Sequence, residues 1–117
     1  MTYKIMYAEF PSFLKAMSSY NKKNKDNPLF VEKRRLVIWA LQTSPRSNQF
    51  KPHQLHGKMK DYWSMDTGLN SNADRLIFYI DDVQKLIYLY DIGNHSMYEA
   101  FLGIVSFKLL LSNFIVK

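Results

Sequence analysis

Three histidines, His53, His56 and His95, are the side chains of this sequence best suited to moving protons near neutral pH. Two stand in a polar stretch, residues 46–57, and the third follows an apolar run that ends at Ile92. A pair of such groups can cleave RNA without a metal. One deprotonates a 2′-hydroxyl, which attacks the adjacent phosphate. The other protonates the departing 5′-oxygen, and cations stabilise the pentacovalent charge between them. Lys51, Lys58, Lys60 and Arg75 surround the histidines in sequence and are candidates for holding phosphates. Tyr98 and Phe101, beyond His95, are candidates for stacking on a base.

Each of these residue types also has an ordinary use. A histidine in a polar loop is most often simply solvated, a lysine cluster is most often a wet face, and an aromatic beside a helix start is more often core. Arg75 is more informative, because it opens an apolar strand, where a charge needs a partner; Asp66 or Asp74 can supply one. His53-x-x-His56 has the spacing of half a zinc site, but no thiol or carboxylate cluster accompanies it, and no metal or other cofactor is expected.

Charge divides the chain. Residues 1–60 carry twelve Lys/Arg against three Asp/Glu, and residues 61–117 carry four against seven, for a formal net charge of +6. A basic half attracts polyanions by neutralising phosphates and releasing counterions, although many basic surfaces bind nothing. The absence of cysteine excludes a disulfide scaffold and a thiol nucleophile and is compatible with a cytoplasmic location. There is no phosphate-cradling glycine loop, no dinucleotide fingerprint and no G-x-S-x-G nucleophile elbow. The first residues lack the pattern of a signal peptide. The apolar stretch 101–117 is interrupted by Lys108 and is shorter than the ~20 residues a membrane-spanning helix needs, so no membrane association is expected. It reads instead as a segment that packs on the domain or in a partner.

The elements that must position these residues follow from periodicity. Residues 3–10 alternate as a strand. Pro11 opens a helix with Phe10, Phe13, Leu14, Met17 and Tyr20 at helical spacing, and residues 21–27 form a polar break. Asn27-Pro28 is an N-cap followed by proline at the first helical position, and the second helix runs to about Thr43. Its apolar side carries Phe30, Val37, Ile38 and Leu41, and Lys33, Arg34 and Arg35 form a basic patch. After the polar loop 46–57 the period becomes two, giving strands at 62–67, 74–80 and 85–92. Leu76, Phe78 and Ile80 lie on one face of the middle strand. Asp81-Asp82 turns the last two into a hairpin. Ser96 and Glu99 form a capping box that starts a final helix. The order β-α-α-β-β-β-α, with helices on one side of a largely antiparallel sheet, is an α+β domain. Residues 1–117 form one domain with an apolar C-terminal extension from about residue 102.

Three segments resemble blocks of the RelE/ParE toxin superfamily. Residues 53–64, HQLHGKMKDYWS, resemble its H-x-L-x-G segment leading into a central strand. Residues 74–79, DRLIFY, resemble its R-L-I-Y strand, and residues 89–96, LYDIGNHS, resemble its closing I-G-x-H segment, most of all in the YafQ-like branch. The blocks occur in the family's order and at its spacing, over about residues 3–101.

The resemblance implies the toxin of a type II toxin–antitoxin system, a ribosome-dependent endoribonuclease that cuts mRNA. It also implies a cognate antitoxin partner and a toxin–antitoxin hetero-oligomer. By position, His53 and His95 match the acid/base histidines, Arg75 a phosphate-stabilising arginine and Asp74 an acidic site position; Tyr98 lies near a site-closing aromatic. The sequence departs from the pattern at Asp66, where the branch often has a histidine. It departs again in the spacing of Tyr98 and Phe101 after His95, and in the length of the turn 67–73. A ParE-like inhibitor of DNA gyrase and a non-catalytic binding protein on the same fold are the alternative readings.

Overall fold

The computed structural model of the chain describes residues 2–7, 11–69 and 74–94. The elements are β1 (Lys4–Met6), α1 (Pro11–Lys23), α2 (Pro28–Thr43), β2 (His53–Gln54), a 3-10 turn (Gly57–Met59), β3 (Tyr62–Asp66), β4 (Arg75–Asp81) and β5 (Leu86–Gly93). One sheet contains all five strands in the order β1-β5-β4-β3-β2. β3, β4 and β5 form an antiparallel meander, β2 extends it at one edge, and β1 joins β5 in parallel at the other.

The helices form where their local chemistry says they should. Asn27 caps α2 through its side chain, which accepts a hydrogen bond from the Leu29 N–H at 3.1 Å, and Pro28 occupies a first-turn position where no N–H is needed. Phe13 of α1 and Phe30, Val37, Ala40 and Leu41 of α2 are buried against Leu76, Phe78, Ile80, Ile87, Leu89 and Ile92 of the sheet. Both helices therefore cover one sheet face, as expected of an α+β domain. An apolar cleft of about 690 Å³ runs between them, floored by Leu76, Leu89 and Ile92.

Three differences from the sequence-based expectation bear on function. The first strand spans three residues, not eight. The first helix continues to Lys23, into the expected polar break. The expected loop 46–57 contains β2, a two-residue strand too short to display any alternation in sequence, and it is pinned by Phe50 and Leu55, which are buried with Met59 of the following turn. Asn48 organises its start: its side chain donates to the Ser44 carbonyl and accepts from the Phe50 N–H. Among the described residues the order is thus β-α-α-β-β-β-β. The expected C-terminal helix and the extension from about residue 102 lie outside them.

Candidate active site

Strand alternation sorts the candidate residues onto two faces. Leu76, Phe78 and Ile80 meet the helices, so Arg75, Ile77 and Tyr79 belong to the opposite face. The ladder registers then define rows across that face. One row joins His53 of β2, Ser64 of β3, Ile77 of β4 and Asp91 of β5. The next joins Asp66, Arg75 and Gly93. A third joins Tyr62, Tyr79 and Tyr88, with Tyr90 in the bulge that interrupts β5 opposite Ile77 and Phe78. His53 and Asp91 are three strand spacings apart, roughly 14 Å in a flat sheet. Arg75 lies between them in strand order, on β4.

His53 is exposed on the short edge strand, and its Nδ1 lies 3.4 Å from the Lys51 carbonyl oxygen. With Nδ1 as the donor of that contact, the Nε2 lone pair remains for proton abstraction. Arg75 faces Asp66 across the β3–β4 ladder, with Nε 3.6 Å from Oδ1 and both side chains partly exposed. The partner that an arginine at the start of an apolar strand requires is therefore Asp66.

Asp74 does not join them. It is 2% exposed, and its carboxylate acts on the Tyr20 hydroxyl of α1, on the helix side of the sheet. Burial and that carboxylate push the Tyr20 hydroxyl above its ordinary pKa. The structure thus separates Asp74 from the face that carries Arg75.

Among the expected phosphate-binding lysines, Lys51 and Lys60 are exposed, and Lys58 has its backbone in the 3-10 turn. Lys51 adopts a left-handed backbone, φ 54°, uncommon for a residue with a side chain, as the chain turns into β2. Lys60 contributes its carbonyl, which accepts a hydrogen bond from the Gln54 side chain. His95, Tyr98 and Phe101 lie outside the described residues. Gly93, two positions before His95 in sequence, is the register partner of Arg75.

Two features of this face were not anticipated. Asp91 is half-buried, and its carboxyl is raised above the ordinary range by burial, an effect opposed in part by its hydrogen bond from the Ile92 N–H at 2.9 Å. Tyr62, Tyr79, Tyr88 and Tyr90 form a chain of ring contacts, with Tyr62 edge-on to Tyr90 at 5.0 Å. Burial, then the neighbouring Tyr62, holds the Tyr90 hydroxyl far above its usual pKa, so the Tyr90 hydroxyl is a neutral hydrogen-bonding group at physiological pH. Alternation along 62–66 and the Ile77–Asp91 pairing would have placed them, had the bulge been visible in sequence.

No family model and no curated protein matches the chain. Solved structures do. A YoeB/ParE toxin from Agrobacterium tumefaciens matches with TM-score 0.59 at 20% identity, over 79% of this chain and 98% of that one. YafQ in the E. coli DinJ–YafQ toxin–antitoxin complex matches with TM-score 0.61 at 21% identity, over 83% and 97%. The YoeB–YefM complex from Staphylococcus aureus matches with TM-score 0.55 at 18% identity, over 80% and 97%. The chain therefore has the fold of these toxins over nearly their whole length.

Proposed function

We propose that the chain is the toxin of a type II toxin–antitoxin system and a ribosome-dependent endoribonuclease acting on mRNA. The observation that carries this reading is the sheet face turned away from the helices, which holds His53 on β2, Arg75 on β4 and the end of β5 within one sheet. His53 acts as one proton-transfer group and His95 as the other, with Arg75 stabilising charge on the phosphate they flank. The likeness to YafQ and YoeB folds supports the same assignment, as do the three sequence blocks. Asp74 serves in this reading as a buried support for the strand that presents Arg75. The DinJ and YefM complexes support a cognate antitoxin as partner and a hetero-oligomer as the resting form.

Expression from a tightly controlled promoter tests the assignment in cells. Protein synthesis is expected to stop before DNA synthesis, and co-expression of the antitoxin encoded beside it is expected to restore growth. Arrest of DNA synthesis first would instead identify a gyrase poison, and unimpeded growth a binding protein.

A further inference from the structure

A cavity of about 490 Å³ opens between α2, the loop before β2 and the end of β3. Its volume falls in the range of small-ligand sites. Lys33, Gln49, Lys51, Asp66 and Thr67 line it. Among the described residues, neither Lys33 nor Lys51 has a carboxylate partner, whereas the other two members of the basic patch are committed. Arg34 donates to the Asn21 side chain at 2.6 Å, and Arg35 pairs with Glu32. Among the described residues Asp66 is the one acidic group in the lining, and Arg75 offsets its charge. Two lysines and a neutralised aspartate make the cavity net positive.

The second observation is Thr67. It is 1% exposed, and its hydroxyl has no hydrogen-bond partner. Its own N–H is satisfied by the Asp74 carbonyl at 3.1 Å, whereas its hydroxyl is not. A buried hydroxyl without a partner costs on the order of 1–3 kcal/mol, and such groups ordinarily have a partner. An unpaired donor in the wall of a positively charged cavity fits an anion.

We infer that this cavity is a phosphate subsite, which holds a backbone phosphate of the RNA strand one step away from the cleaved bond. Lys33 and Lys51 supply the charge, and Thr67 and the Gln49 amide supply neutral donors. The site rests on the nuclease reading for its ligand, since Lys51 is two residues from His53. It would hold the strand so that the 2′-hydroxyl to be deprotonated stands at the edge strand. Lys33, Gln49 and Thr67 are positioning residues in this scheme and take no part in proton transfer.

The test uses the full chain and a short RNA carrying a 2′-deoxy substitution at the cleavage position, so that binding is read without turnover. Thr67→Val keeps the shape and removes the hydroxyl. Its affinity for the RNA is expected to fall about tenfold while its thermal stability holds or rises, because an unsatisfied buried donor is gone. Lys33→Gln is expected to weaken binding and to lower the slope of log affinity against log salt by about 0.7, one phosphate contact on a single strand.

Wild-type affinity and slope in both variants, with messages still cut on ribosomes, would overturn the subsite and leave the nuclease standing. Tripolyphosphate, titrated against the isotopically labelled protein, is expected to shift the Gly68 and Gln49 amides whether or not messages are cut, which separates the subsite from the nuclease reading. Shifts with tripolyphosphate, but RNA binding indifferent to both substitutions, would assign the cavity to a free phosphate compound and contradict the proposal as stated.

Discussion

Asp66 and Arg75 hold each other across β3 and β4 where the proposed reaction needs a free cation. The pair is partly exposed, so it contributes little to stability and is screened by salt. Its cost falls on function, because the carboxylate competes with phosphate for the guanidinium. Asp66→Asn is therefore expected to speed message cleavage several-fold, at nearly unchanged stability, and single-turnover assays on ribosomes measure this directly.

Asp91 gives a second residue-scale prediction. Its folded pKa is raised by burial, so the folded state binds a proton more tightly than the unfolded chain does. That group favours folding at pH below its unfolded pKa and opposes folding increasingly as pH rises from there through the folded pKa. Asp91→Asn is accordingly expected to raise the melting temperature at pH 7 and to have little effect near pH 3. Melting curves at the two pH values check the sign, and a larger gain at pH 3 would contradict it.

Most of the elements were legible because their causes are local. The Asn27-Pro28 start of α2, the heptad-like burial of Phe30, Val37 and Leu41, and the alternation of Leu76, Phe78 and Ile80 all act within a few residues. β2 was not legible, since two residues display no period, and neither was the parallel pairing of β1 with β5, a contact between segments far apart in sequence, such as Lys4 with Leu86. Asp74 is an intermediate case. Counting back two residues from Leu76 already puts it on the helix face, and only the family pattern drew it toward Arg75.

The cap supplies the element-scale prediction. Asn27→Ala removes the acceptor for the Leu29 N–H and is expected to destabilise the fold by about 1 kcal/mol in urea denaturation. A second contact operates at the same scale. Asp82, in the β4–β5 turn, accepts from Arg46 at 2.5 Å and from the Tyr3 hydroxyl at 2.7 Å, tying that turn to the loop after α2 and to the start of the chain. The Arg46 guanidinium, followed by the Tyr3 hydroxyl, holds the Asp82 carboxyl below the ordinary range. The stability this adds is present above the unfolded carboxylate pKa and is lost as pH falls through the folded one.

At the scale of the molecule, the two sheet faces divide the work. One is covered by α1 and α2 and supplies the core. The other presents His53, Arg75, Asp91 and four tyrosines in rows set by the ladder. The charge asymmetry seen in sequence runs along the chain and not between the faces: the basic first half supplies α2 and the β2 edge, and the acidic second half supplies Asp66 and Asp91 on the open face and Asp74 on the helix side. No helix among the described residues is long and apolar enough to cross a membrane. In the proposed function, the face opposite the helices cuts messages by proton transfer. Its most direct test is cleavage of a defined message in a purified translation system by the wild-type chain and by His53→Gln. Cuts within translated codons are expected with the wild type, none without ribosomes, and a rate lowered by roughly 10²–10⁴-fold in the variant. Intact messages with the wild type, or an unchanged rate with His53→Gln, would contradict it.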